Sequence, residues 1–353
     1  MLMRKESIII IGAGLTGLTL AYLLKKQGIE ALLLEARDRI GGRIFTHRSE
    51  GEAPIEMGAT WLGQKHTALV QLLEELQLPI FEQTLGELAV YEPISTSPPQ
   101  LVQLPPNDAP SYRIAGGTDQ LTQTLAAQLA PTQIQVEEAV QRITIKENAL
   151  HLQSTKEEYL ADKVISTLPP NLLVNSIQCT PALPEELIEK AQKTHTWMGS
   201  SIKIGLRFQD AFWKIQPKTA TVFSNVGPIS EFYDHSNVEG TQYALKGFLS
   251  EAYHAATLEQ RKAVILKQLK RYFGEAIEQH TAYKEMLWQD EAFTYCSYPQ
   301  AVLPHQNNGH PIYQQSFLEG RFLIAGSETA SQFPGYMEGA VQSAQTTLRQ
   351  LNG

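Results

Sequence analysis

Ser7-Ile8-Ile9-Ile10-Ile11-Gly12-Ala13-Gly14-Leu15-Thr16-Gly17 is the stretch that decides the fold. An apolar strand runs directly into three glycines at fixed offsets. Gly12 permits a tight turn, Gly14 lets phosphate oxygens approach the backbone, and Gly17 lets the next helix pack closely on the strand. Leu15 and Thr16 open that helix, whose free N–H groups and dipole favour negative charge. The spacing of Leu15, Leu18, Tyr22 and Leu23 predicts a helix stopping at Gly28, and a second strand over 30–35 ends in Glu35. An acid about 20 residues beyond the glycines is placed to accept from a ribose hydroxyl. A lone G-x-G-x-x-G says little, but strand, loop, helix, strand and acid in that order point to a dinucleotide.

The far end of the chain carries a second glycine-introduced helix start. A strand over Arg321–Ala325 meets Gly326-Ser327, and Gly335-Tyr336-Met337-Glu338-Gly339-Ala340 opens a run of helix formers to Leu351. Two such N-termini suggest one large anionic cofactor gripped at two places. After Glu35 the chain continues Ala36-Arg37-Asp38-Arg39-Ile40-Gly41-Gly42-Arg43. Glycines beside arginines suit a backbone closing over phosphates while a guanidinium pairs with them. This favours FAD over NAD.

With these segments the chain resembles the flavin-containing amine oxidase family, in particular its monoamine oxidase branch. Glu35 to Arg43 matches the family's arginine-and-glycine segment after the ribose acid. Gly58-Ala59-Thr60-Trp61 looks like the small-residue turn that runs along the flavin. Gly116-Gly117 with Gln120-Leu121 matches the glycine pair opening a later helix, and Val140 the valine against the adenine end. Gly326-Ser327 and Gly335–Ala340 match the C-terminal signature.

The resemblance implies roles as well. Lys203, with Phe212-Trp213 in register downstream, matches the lysine that holds a water near flavin N5. Tyr298 and Tyr336 match the paired aromatics that flank a substrate amine, where two π surfaces orient it and attract it if charged. A helix starting at Met337 would aim its N–H groups at the flavin edge on which negative charge develops during reduction. The implied reaction is hydride loss from the carbon beside an amine nitrogen. Water then hydrolyses the imine to an aldehyde and ammonia or an amine, and O2 reoxidises the flavin with release of H2O2. Two alternatives stay open: another flavoprotein of this fold, like a carotenoid desaturase or protoporphyrinogen oxidase, and a flavin-binding protein without catalysis.

Two departures from the family shape further expectations. Where monoamine oxidases carry the flavin-linking cysteine this chain has Ser297, with Cys296 beside it, so the FAD is expected to be non-covalent. The chain is also short around 81–110. A more open or differently roofed site follows, and closure by a subunit partner leaves room for a homodimer.

Composition sets the frame. The chain has 353 residues, 42% hydrophobic and 19% charged, enough for a two-domain globular protein. A formal net charge of −8 argues against a nucleic-acid binder. Cys179 and Cys296 lie far apart without metal spacing, which fits a reducing, cytoplasmic setting. Met1 to Lys5 and the apolar Ile8 to Leu24 mimic a secretory leader, but the glycine offsets speak against one. Nothing else approaches the roughly 20 apolar residues of a membrane span. His305 and His310 are expected in a solvated loop, with no metal site.

The expected fold is α/β plus α+β, the two-domain FAD-linked oxidase arrangement. A Rossmann-like FAD domain is assigned to 1–80, 111–183 and 291–353, and a discontinuous β-rich substrate domain to 81–110 and 184–290. Pro93, Pro98, Pro99, Pro105, Pro106 and Pro110 predict a loop or crossover over 93–110.

Overall fold

Ile9 and Ile10 are wholly buried, and Ile8 and Ile11 nearly so, because the first strand, Arg4–Ile11, lies inside a sheet covered on both faces. Ile8 and Ile10 join one hydrophobic cluster, and Ile9 and Ile11 join another across the sheet. Such double burial is why a parallel strand reads as a continuous apolar run rather than an alternation. The computed structural model describes residues 4–215 and 219–353. The first three residues of the basic start, Met1 to Met3, lie outside the described residues.

The first sheet has nine strands. Arg4–Ile11 pairs in parallel with Leu32–Leu34 on one side and Glu158–Ser166 on the other, and Phe322–Ile324 extends the parallel part beyond Glu158–Ser166. The meander Val140–Lys146, Ala149–Ser154 and Glu158–Ser166 supplies the antiparallel part. One face is covered by the first helix, Leu15–Lys26, and the last, Met337–Asn352, which pack against each other. This brings the two glycine-introduced helix starts, at Leu15 and Met337, to the same end of one sheet. Glu338, fully buried on the last helix, accepts from Ala68 N at 3.1 Å and Leu69 N at 2.7 Å. It thereby satisfies the open amides at the start of a third helix, Thr67–Glu75, which lacks a side-chain cap of its own.

A second sheet of seven strands runs Ala282–Leu287, Ile202–Phe208, Tyr243–Leu249, Ile229–Asp234, Val222–Ser224, Leu88–Glu92 and Gln100–Gln103. Its core packs on the helix Leu258–Phe273, which opens with a Thr257/Gln260 capping box and stops at Gly274 with φ of 68°. The expected loop over 93–110 needs correction. Gln100–Gln103 is an edge strand paired with Leu88–Glu92. The prolines bracket these four residues without interrupting them, and an edge position leaves one row of amides unpaired in any case. A short helix, Pro170–Ser176, follows the strand Glu158–Ser166. Pro170 occupies its first position, where the missing N–H costs nothing.

Candidate active site

One cavity of about 860 Å³ lies between the two sheets. Its inner end is built by the glycine loop. Gly12 adopts φ of 101°, and a Cβ on Gly17 would sit 2.0 Å from the Gly12 carbonyl oxygen, so only glycine lets strand and helix meet there. Gly12, Gly14, Leu15 and Thr16 line the wall, while Gly17 packs behind it. Gly14 caps the helix without any side chain, leaving the first-turn amides to the cavity. Gly41 and Gly42 close over this loop: Gly41 N donates to the Ala13 carbonyl at 2.8 Å, and a Cβ on Gly42 would come 3.2 Å from Gly14 Cα.

Glu35 and Ala36 are on the wall, and the Glu35 carboxylate accepts from Ala13 N at 2.8 Å and Arg37 N at 3.0 Å. Val140 lines the same end. Arg37 and Arg43 also line the cavity, and each guanidinium has a carboxylate partner. Arg37 pairs with Glu291 at 2.8 Å. Arg43 makes a fork to Glu328, 2.6 Å and 2.8 Å, and donates to Ser327 Oγ and the Trp197 carbonyl. Glu291 and Glu328 hold these two cations in place on the wall, Glu328 being buried and Glu291 half-buried. Burial alone would raise the Glu328 carboxyl, but the Arg43 charge and hydrogen bonds more than offset it and hold it below its ordinary range.

The middle of the cavity is the turn Gly58-Ala59-Thr60-Trp61, all four residues on the wall. Lys203 reaches it from the strand Ile202–Phe208, every residue of which is buried. Its Nζ donates to the Gly58 carbonyl and lies 5.1 Å from the Phe248 ring centroid. Burial lowers its proton affinity to about 8, although Glu56 pulls the other way. A second lysine, which the sequence reading missed, supports the same turn. Lys246 is fully buried, donates to Thr60 Oγ1 and sits 4.8 Å over the Trp61 ring. Burial and the neighbouring Lys203 push it well below an ordinary lysine. Its one sequence signal was a charge inside the apolar strand run Tyr243–Leu249.

Ser327, Gly335, Tyr336 and Met337 line the outer part of the cavity, and Gly326 lies behind Ser327. Tyr336 does not face Tyr298. The Tyr298 hydroxyl accepts from Thr196 N at 2.7 Å, its ring packs edge-on to Tyr295, and it is absent from the wall. The rings beside Tyr336 are Trp197, 5.4 Å away and tilted by 35°, His305 at 6.1 Å and His66 at 6.2 Å. Motif position located Tyr298 along the chain but not the direction of its side chain, whereas Gly335, whose added Cβ would come 2.4 Å from Trp197 Cβ, admits the indole. His305 stacks on Trp197 at 4.2 Å, so it is not the solvated loop residue expected from its Pro/Asn/Gly surroundings. Among the described residues no His/Cys/Asp/Glu group could hold a metal.

Lys203 carries a pH prediction. The unfolded chain keeps this proton up to the ordinary value of 10.5, so the bias toward unfolding is full below pH 8 and fades between 8 and 10.5. In the cofactor-free protein, stability is expected to rise between pH 8 and 10.5 as this penalty fades, and Lys203→Met to remove this share of the rise. An unchanged rise in the variant would assign it to another group.

A glycine-loop cradle facing a second, mostly antiparallel sheet across one cavity defines a two-domain dinucleotide-linked oxidoreductase. Residues 15–96 and 96–351 match the profile of the family described as flavin containing amine oxidoreductase. Flavin-containing amine oxidase A of Canis lupus familiaris is 24% identical over 454 aligned positions, covering 98% of this chain and 84% of that protein. Among solved structures, putrescine oxidase bound to putrescine superposes with a TM-score of 0.86 at 22% identity, covering 99% of this chain and 100% of that one. Cyclohexylamine oxidase from Brevibacterium oxydans IH-35A gives 0.84 at 21% identity over 98% of each chain. The chain belongs to the flavin-containing amine oxidoreductase family. The glycine cradle, the two open helix starts and the absence of a Cβ at the closest backbone approach fit a flavin dinucleotide.

Proposed function

We propose that the chain oxidises a small amine at the carbon beside its nitrogen, with non-covalent FAD as cofactor and O2 as final acceptor, giving an imine, its hydrolysis products and H2O2. The observation that carries this is the Trp197–Tyr336 aromatic wall sharing one cavity with buried Lys203 and the glycine loop. The bound cofactor supplies the hydride acceptor. The amides of Gly14, Leu15, Thr16 and Gly42, which line the cavity, would hold its phosphates, and Glu35 would hold a ribose hydroxyl. Trp197 and Tyr336 orient the amine and exclude water from around the carbon that reacts. Lys203 is the buried group able to hold or release a proton beside the turn that lines the cavity. The N-terminus of the helix at Met337 favours the negative charge of the reduced state.

Ser297 and Cys296 are both off the cavity wall, which supports non-covalent retention. Acid precipitation is expected to release the yellow colour into the supernatant, and colour left in the pellet would overturn this. A peroxide-coupled screen of primary amines, polyamines and amino acids tests the activity itself. A flavin-loaded protein yielding peroxide with none of them is a binder rather than an oxidase. Among the described residues no helix is long and apolar enough to cross a membrane. A cytoplasmic setting is the reading supported by the two unpaired, distant cysteines.

A further inference from the structure

Two buried lysines meet behind the turn on the middle of the cavity wall, and the turn itself links them. Lys203 Nζ donates to the Gly58 carbonyl, and Lys246 Nζ donates to Thr60 Oγ1. The Thr60 hydroxyl in turn donates to the same Gly58 carbonyl at 3.1 Å. One hydrogen-bonded chain therefore runs from Lys246 through Thr60 and Gly58 to Lys203. Strand register brings the two together. Lys203 stands opposite Phe248 and Gly205 opposite Lys246, so the lysines are diagonal neighbours on one face of the sheet.

Lys203 is 5% exposed and Lys246 wholly buried. Among the described residues no carboxylate pairs with either. The buried acid of the cluster, Glu56, is already engaged: it pairs with His235 and accepts from Thr118 N at 3.3 Å. Arg113, a permanent cation, donates to His235 Nδ1 at 2.9 Å, which leaves that ring neutral with its proton on Nε2 toward Glu56. Burial pushes His235 the same way. Glu56 and Arg113 then balance each other. Tyr233, opposite Lys246 on the next strand, is kept un-ionised by burial and donates to Glu231 at 2.9 Å. Two neighbouring ammonium groups without a carboxylate of their own do not both stay charged in such a place.

Building on the amine-oxidising reading above, we propose that Lys246 is a positioning residue for the oxidation, an unprotonated amine that orients Thr60 while Lys203 holds the single charge of the pair. The neutral amine fixes the Thr60 hydroxyl on Gly58, and so holds the carbonyl that anchors Lys203. One positive charge beside the cavity favours a cofactor that gains negative charge on reduction. A second would add desolvation and repulsion with no acid to offset them.

Proton linkage tests the charge state. Both lysines are protonated in the unfolded chain at neutral pH, so unfolding of the flavin-loaded protein takes up one proton at Lys246. Between about pH 6 and 7.5 the wild-type unfolding constant should fall with pH more steeply than that of Lys246→Met, by about tenfold per pH unit. Lys246→Gln serves the same comparison if Lys246→Met does not fold. Equal pH dependence in wild type and variant overturns the proposal. This measurement needs no substrate, so it decides the pair even if no amine yields peroxide and the oxidase reading fails. The positioning role is read with the amine giving the fastest peroxide release. Lys246→Met is expected to lower kcat on the order of tenfold with little change in KM, and Lys246→Gln, a neutral donor, to restore most of it. An unchanged kcat in Lys246→Met, or a Lys246→Gln variant equally slow, overturns that role.

Discussion

Gly17→Val is expected to give a folded but colourless protein. A Cβ at residue 17 would stand 2.0 Å from the Gly12 carbonyl oxygen and 3.2 Å from its carbon. Both are backbone atoms of the loop itself, so no side-chain rotation relieves the clash and the first helix must move off the strand. Overpacking of this kind costs about 1–3 kcal/mol, which a nine-stranded sheet survives. The cofactor does not survive it, because the Leu15 and Thr16 amides move away from the place where phosphates must sit. Charge-assisted hydrogen bonds contribute about 1.5–3 kcal/mol each, so losing two weakens flavin binding by on the order of a hundredfold or more. Gly63→Ala is the control: its added Cβ meets nothing within 4 Å, and its flavin absorbance should match the wild type. Wild-type flavin content in Gly17→Val would show that the loop does not carry the cofactor.

Arg43→Met is expected to be the most destabilising single change near the cavity. It strips the cation from Glu328, whose side chain is 1% exposed, while the Arg43 side chain itself is only 24% exposed. Ser327 Oγ at 2.9 Å and Trp197 N at 3.3 Å would remain as partners, too few for a buried charge. Removing one member of such a pair costs about 3–5 kcal/mol, read as the shift of the first chemical unfolding transition. With burial unopposed, the Glu328 carboxyl moves up, so the loss should shrink as pH falls and the group takes a proton. Adding Glu328→Gln should recover much of the stability by removing the orphaned charge. A double variant as unstable as the sum of the singles would mean that the pair is not the unit of stability. Amine turnover should fall as well, since Arg43 also holds the Trp197 carbonyl at 3.0 Å.

The parts of the site that were legible in the sequence are those whose residue type is itself the constraint. Gly12, Gly17 and Gly335 are demanded by a backbone angle or a contact that a Cβ would spoil, and such demands survive as spacing along the chain. The buried strands were legible through their apolar runs, and the helices through period and stop signals. The Gln100–Gln103 strand was not, since prolines nearby masked four residues whose partner strand decides their state.

The side-chain pairings were illegible for a different reason. Arg43 meets Glu328 across 285 positions, Lys203 meets the Gly58 carbonyl across 145, and Lys246 meets Thr60 across 186. No local spacing encodes contacts made only when two sheets close on each other. The same holds for Trp197, which stands beside Tyr336 where Tyr298 was expected.

By itself, then, the sequence determined a dinucleotide cradle of strand, glycine loop and helix, and a second helix start at the far end to complete it. Local backbone geometry dictates those residues, so they can be read in order. The tertiary structure alone decided where the charges go and which rings line the cavity. Those depend on which groups lose water together when the two sheets meet, and desolvation is a property of the assembled cavity rather than of any segment.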